Sequence, residues 1–314
     1  MIHLRHVVRD TIVSAVIVLA VVVFLALSGE RFAETFEILA QVPPELLILG
    51  LVLVAGTYVA AAVSYVALGA DRNIRLRTTI GIQTASGITN RLLPAGLGGA
   101  GLYVMYLKKS GFKYSQATAI VATNNIIGAL GNFGLLVIAL AFAPRPEQLL
   151  PSGSISSGVL IGVGCGTLAV LAILIVGRKR WLRRITAFVR DALRSLRTTL
   201  KPGRRTALSL IGNLGVTSIN CLILCLAVVA AGDSMFWPLS VAVLSAGALL
   251  GAAVPTPGGL GGVEAGIVGG LIVAGVPAAP ALAATLIYRG LTYWLPIIPG
   301  ITVLPWVRAH YLRA

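Results

Sequence analysis

Charge is what this 314-residue sequence has least of. Asp, Glu, Lys and Arg together make up 11% of it, against about 25% in an ordinary soluble domain. Acids are the scarcer sign, 10 against 25 basic residues. The aspartates, Asp10, Asp71, Asp191 and Asp233, all fall outside the apolar stretches, and His3, His6 and His310 sit near the termini. An aspartyl dyad or a histidine base inside the bilayer is therefore excluded, which leaves intramembrane catalysis thinly supplied. Cysteine is rare too: Cys165, Cys221 and Cys225 lie within apolar runs. Cys221 and Cys225 are four apart on one helix face and cannot close an unstrained disulfide on an intact helix, so they read as small packing residues rather than metal ligands. No phosphate-binding glycine loop of the nucleotide-hydrolase type is present. What the sequence has instead is 57% hydrophobic residues and 36 glycines, a composition whose solvent is lipid.

Apolar stretches run at approximately 11–28, 46–69, 79–107, 115–143, 157–177, 206–231 and 237–307. A crossing needs about 20 residues, so the last stretch must fold back, and the third is interrupted by a Pro/Gly run. Basic residues fix the sidedness. Arg5 and Arg9, then Arg72, Arg75 and Arg77, then Lys108, Lys109 and Lys113, the segment 178–205, and finally Arg308 and Arg313 alternate with acid-bearing loops. Those loops carry Glu30, Glu34, Glu37, Glu45, Glu147 and Asp233, with Arg31 and Arg145. The positive-inside rule then expects a multi-pass protein of the cell membrane with both termini cytoplasmic. The pattern fits an all-α architecture of six full crossings plus two re-entrant helical hairpins, a single membrane domain over 1–314. Segment 79–107 enters and leaves on the basic side, and 237–276 on the acidic side. The first stretch is expected to stay uncleaved, because later spans need it for their orientation.

Two shorter segments look interfacial. Residues 30–41 place Phe32, Phe36 and Leu39 at helical spacing among acids. Residues 178–205 hold eleven basic residues and one acid, with Trp181, Leu182, Ile185, Phe188, Val189, Leu193, Leu196 and Leu200 at helical spacing. That segment reads as a helix on the anionic lipids of the inner leaflet. It is either a topology anchor or a docking surface. It lacks a base-reading module, so nucleic acid is not an expected partner.

A short repeat is the most informative feature. Pro94-Ala95-Gly96-Leu97-Gly98-Gly99 recurs 163 residues later as Pro257-Gly258-Gly259-Leu260-Gly261-Gly262. The two copies fall in segments entering from opposite sides, as an inverted-topology repeat requires, with halves at approximately 1–143 and 157–314. Proline stops the incoming helix, glycine permits the turn, and the outgoing half-helix presents amide N–H groups to an anion. The alternative is that these glycines only pack helices closely.

Three charges remain inside apolar stretches: Arg91, Glu264 and Arg289. Intramembrane charges are costly and mark functional sites. On one reading Glu264 complements a helix N-terminus and pairs with Arg289. On the other the three line a polar cavity of net positive charge, suited to an anionic or zwitterionic phosphate-bearing headgroup. The two are compatible. Asn124, Asn125, Asn132, Asn213 and Asn220 either join that cavity or bond to one another as helix glue. The candidate headgroup-binding residues are Asn90, Arg91, Pro94, Gly98 and Gly99 at the first break, Pro257, Gly258, Gly259, Gly261, Gly262 and Glu264 at the second, and Tyr288, Arg289 and Tyr293 in the last span.

The run Val254-Pro255-Thr256-Pro257-Gly258-Gly259-Leu260-Gly261-Gly262-Val263-Glu264-Ala265, with Tyr288-Arg289 and Thr292-Tyr293-Trp294-Leu295-Pro296 downstream, resembles the flippase-like membrane region of lysylphosphatidylglycerol synthases and its stand-alone relatives. Asn90-Arg91-Leu92-Leu93-Pro94 is similar to part of the family's first motif. The charged residues that usually follow are replaced by Ala95-Gly96-Leu97-Gly98-Gly99. The resemblance implies movement of a phospholipid or polyprenyl-linked lipid between leaflets. No synthase sequence follows Ala314, so lipid synthesis is not implied. The leading expectation is thus a lipid flippase, not an enzyme and without a cofactor, whose partners are a membrane lipid (phospholipid or lipid-linked glycan) and inner-leaflet anionic lipid. The alternatives are a non-catalytic subunit presenting lipid to a separate synthase, and an intramembrane lipid-modifying enzyme resting on Glu264 and two arginines.

Overall fold

A computed structural model of the chain describes residues 29–72, 74–92, 97–142, 203–253 and 256–312. The expected spans 11–28 and 157–177, nearly all of the basic segment 178–205, Cys165 and Pro94 lie outside the described residues.

All regular structure among the described residues is helical. The elements are α1 (Gly29–Ala40), α2 (Pro44–Leu68), α3 (Leu76–Leu92), α4 (Leu97–Lys109), α5 (Tyr114–Ala141), α6 (Gly203–Ala230), α7 (Trp237–Ala253), α8 (Gly262–Val273), α9 (Ala278–Arg289) and α10 (Ile297–Val307). Four continuous helical runs are long and apolar enough to cross a membrane: Pro44–Leu68, Tyr114–Ala141, Gly203–Ala230 and Ala278–Tyr311. Their outward faces expose Ile48, Val52, Phe133, Val137, Ile211, Ile298 and Ile301. In water such a surface would aggregate; in lipid it is the expected exterior.

Helix ends follow their residues. Pro44 opens α2, where a missing N–H costs nothing. Gly69 closes it by donating to the Tyr65 carbonyl at 2.9 Å. The Gln116 side chain accepts from the Lys113 amide at 3.0 Å and caps α5. Basic Arg204 and Arg205, which the sequence pattern assigns to an interfacial segment, fall in the first turn of α6.

The core is built from helices that approach through small residues, as lipid-embedded bundles require. Helices α2 and α6 run antiparallel. A Cβ on Gly212 would lie 2.7 Å from the Ala60 carbonyl oxygen, and one on Gly215 3.4 Å from the Ala60 side chain. Helices α7 and α8 also pair antiparallel, with Gly266 against Gly247 and Gly270 against Val243. Helices α3 and α4 form a second such pair, stitched by polar contacts: Thr79 to Tyr106 at 3.0 Å and the Tyr103 hydroxyl donating to Gln83 at 2.7 Å.

Two contacts gather the basic loops at one end. Arg205 pairs with Asp71, and Tyr311 meets Tyr106 edge-on at 5.3 Å. The Arg72 guanidinium lies beside Gly111. At the other end Ile38, Leu39, Leu46, Met235 and Val276 share one cluster, which brings the acidic α1 beside the start of α9.

The last run is not a uniform helix. Between Gly290 and Trp294 it opens into a π-turn, in which the Leu295 amide donates to the Gly290 carbonyl at 2.9 Å. Pro296 explains it. Proline offers no N–H to the carbonyl four residues back and its ring collides with that carbonyl, so the turn before it widens.

Candidate functional site

The site forms where the turns of the two antiparallel pairs meet the π-turn. On the second pair, α7 gives way to a short turn at Pro257–Gly259. Gly258 and Gly261 hold φ of 64° and 86°, a region open to glycine and costly for other residues. Gly258 is constrained twice, because a Cβ there would sit 2.5 Å from the Tyr293 hydroxyl. The turn delivers Glu264 to the first turn of α8. One carboxylate oxygen accepts from the Gly261 amide at 2.7 Å, and the other accepts from Arg289 Nε at 2.6 Å. Both halves of the structural reading of Glu264 are therefore present: it caps the helix and pairs with Arg289.

On the first pair, Asn90 Oδ1 accepts from the Gly99 amide at 2.6 Å. A Cβ on Gly98 would run into the Thr89 carbonyl, so Gly98 permits the close return of α4. One amide at each break is thus taken by a side chain of its own segment. The positive character of the site comes from the arginines more than from open helix ends. Arg91 reaches from the end of α3 across to the last run, where its Nη2 donates to the Thr292 carbonyl at 3.0 Å. That carbonyl is available because its usual donor would be Pro296, which has no N–H.

Tyr293 joins the two halves. The Arg289 guanidinium carbon lies 4.1 Å from its ring centroid and that of Arg91 4.9 Å, both within cation–π range. Tyr58 of α2 faces Arg91. Arg289 is 8% exposed. Among the described residues, Arg91 Nε and Arg289 Nη2 are buried donors with no hydrogen-bond partner. Two guanidinium groups and one carboxylate leave an excess of one positive charge beside two unspent donors, an arrangement that accepts an anion.

The remaining sequence candidates divide. Gly259 and Gly262 shape the turn and the buried start of α8. Tyr288 is buried and turns toward α6, its hydroxyl donating to Asn220 at 3.4 Å. The side chain of Pro257 and all of Pro94 lie outside the described residues. The asparagines do both things expected of them. Asn213 donates to Asn124 at 3.1 Å. Asn124, Asn125 and Asn213 also line a polar cavity of about 240 Å³ that Asn90 closes. Tyr58 and the Thr292 carbonyl carry no signal of their own in the sequence. A proline four residues after Thr292 is the one clue that the carbonyl is free. Among the described residues no group of three His, Cys, Asp or Glu side chains gathers to hold a metal ion.

A second hollow, apolar and about 570 Å³, lies beside the site between Leu47 and Leu51 of α2 and Gly290, Trp294 and Ile298 of the last run. Trp294 packs edge-on against Tyr293 at 5.1 Å, so this groove and the ionic cluster share a wall.

No curated protein matches the chain. The family model for the transmembrane region of lysylphosphatidylglycerol synthase matches residues 12–300. With a match over nearly its whole length, and apolar helices long enough to cross a bilayer, the chain is a multi-pass membrane protein that belongs to the lysylphosphatidylglycerol synthase transmembrane family.

Proposed function

We propose that the protein translocates a lipid with an anionic or zwitterionic phosphate headgroup between leaflets, with no bond made or broken. The observation that carries this reading is the pair of buried, unpartnered guanidinium donors of Arg91 and Arg289 around Tyr293. A phosphodiester brings one negative charge and acceptor oxygens, matching the excess charge and the free donors. The neighbouring apolar groove offers an acyl chain a path along Leu47, Leu51 and Ile298 while the headgroup occupies the polar site.

In the proposed topology the two antiparallel pairs are re-entrant, entering from opposite faces, and six full crossings place both termini in the cytoplasm of a cell with its basic end inside. Support for an inverted repeat comes from the element bounds. A shift of 163 residues carries α2, α3, α4 and α5 to within four residues of α6, α7, α8 and the α9–α10 run. The antiparallel packing of α2 on α6 is the relation that inverted copies would have. Irregular backbone at bilayer depth is tolerated where it lines a polar hollow, and both turns do so. Alternating access would rock one copy against the other about the Arg91–Tyr293–Arg289 contact.

The test is reconstitution of the pure protein in liposomes, with fluorescent phosphatidylglycerol in one leaflet and quencher added outside. Transfer is expected, and Arg289→Ala and Glu264→Gln are each expected to abolish it. Full transfer in both variants would remove the ionic cluster from the mechanism, and chemically altered lipid would make the protein an enzyme.

A further inference from the structure

The polar cavity enclosed by α2, α3, α4, α5 and α6 is not explained by anion binding. No charged side chain among the described residues lines it, so an ionic headgroup entering it would lose hydration without a counter-charge. Its walls are amides and hydroxyls. Tyr103 donates to Gln83 Oε1 at 2.7 Å, which leaves the Gln83 amide nitrogen unused. Asn90 spends its oxygen on Gly99 and keeps its amide nitrogen. Asn213 spends its nitrogen on Asn124 Oδ1 and the Ser209 carbonyl and keeps its oxygen. Asn125 has no hydrogen-bond partner among the described residues. Tyr65 and Tyr103 stack at 3.7 Å and form a flat wall.

Donors and acceptors are thus interspersed with no net charge. A hydroxyl both gives and takes a hydrogen bond, so several hydroxyls on a compact frame match this lining better than a carboxylate or an ammonium. The volume of about 240 Å³ is below the roughly 300–1,000 Å³ of pockets for drug-sized ligands. It admits one ring, not a chain of sugars. Asn90 lines this cavity while the next residue, Arg91, reaches the ionic cluster. A phosphate at Arg91 would place its polar substituent at the cavity mouth.

We propose that this cavity is a subsite for an uncharged, ring-sized polyol carried on the lipid phosphate, so that the substrate class is a lipid phosphodiester of a single sugar or cyclitol. This rests on the translocation reading for the phosphate, and the experiment separates the two. The full chain in phosphatidylcholine nanodiscs is titrated calorimetrically with dihexanoyl phosphatidylinositol, dihexanoyl phosphatidic acid and free myo-inositol. The inositol lipid is expected to bind about tenfold tighter than phosphatidic acid, as one or two additional net hydrogen bonds would give. Asn125→Ala and Gln83→Leu are each expected to cut that preference to about twofold or less, and Arg289→Ala to weaken both lipids together. Equal affinity for the two lipids, as a merely hydrated cavity would give, overturns the subsite and leaves the phosphate reading standing. So does a preference that survives both cavity variants. Free myo-inositol binding as tightly as its lipid overturns the lipid-borne assignment. Failure of both lipids to bind removes the phosphate reading and the subsite with it.

Discussion

Pro296 shows how one residue acts on another by withholding a donor. Were residue 296 able to give an N–H, the Thr292 carbonyl would be satisfied within its own helix, and Arg91 would lose its anchor. Hydrogen bonds to charged groups contribute about 1.5–3 kcal/mol, and this one fixes a guanidinium beside Tyr293. Pro296→Ala is therefore expected to keep or raise thermal stability while lowering lipid transfer about tenfold or more. The check is a melting curve beside the liposome assay. A drop in both together would mean that the proline serves the fold alone. Gly258→Ala tests the same centre from the other side. Its Cβ would collide with the Tyr293 hydroxyl, and the ring can escape only by leaving the arginines. Transfer is expected to fall by about the same factor, with recovery in Gly258→Ala combined with Tyr293→Phe if the hydroxyl is the obstacle. The charges were legible because an ionised group in an apolar run is too costly to be incidental. Tyr293 was legible only as a neighbour of Arg289. Its role depends on Arg91, which arrives from 201 residues away in sequence.

At the level of elements, the two breaks could be read from sequence because proline and glycine restrict or free the backbone whatever surrounds them. The helix boundaries at Leu92 and Leu97, and at Ala253 and Gly262, bracket the two Pro/Gly runs. The choice between turn glycines and packing glycines could not be read. The structure splits them by position: Gly258, Gly259 and Gly261 take positive φ, whereas Gly247, Gly266 and Gly270 are helical and press on the facing helix. A Cβ at residue 266 would lie 2.6 Å from the Gly247 Cα. Gly266→Val is thus expected to force α7 and α8 apart at a cost of about 1–3 kcal/mol. The observable is a lowered melting temperature and loss of the monodisperse peak in detergent. Gly269→Ala, whose Cβ would meet nothing within 4 Å, is the matched control. The π-turn was missed because the last stretch reads as continuously apolar, and periodicity does not register the effect of one proline on the preceding turn.

For the whole molecule, the sequence supplied sidedness through its basic residues, and the structure collects Arg72, Lys108, Lys109 and Arg308 at one end through contacts between loops that are far apart in the chain. The polar cavity was out of reach of a linear reading. Gln83, Asn90, Asn124, Asn125 and Asn213 come from four helices, and nothing short of the packing of α2 on α6 brings them together. The proposed orientation has a direct check. In a background with Cys165, Cys221 and Cys225 replaced by serine, Ser110→Cys and Ser234→Cys place single thiols at opposite ends. In intact cells a membrane-impermeant maleimide is expected to label the second and spare the first. Labelling of both, or the reverse, would overturn the arrangement of both antiparallel pairs at once.

The π-turn at Gly290–Trp294 also sets a rule of phase. It carries one residue more than an α-helical turn, and each residue turns a helix by about 100°. Excising Leu291 would restore regular winding and swing the downstream stretch by that angle. Gly300, which fits against Ile88, would be replaced on the inner face by a bulky neighbour, and Ile298 and Ile301 would leave the acyl chains they now meet. The surface loops can gain or lose residues with little consequence, but this apolar segment cannot change length by even one.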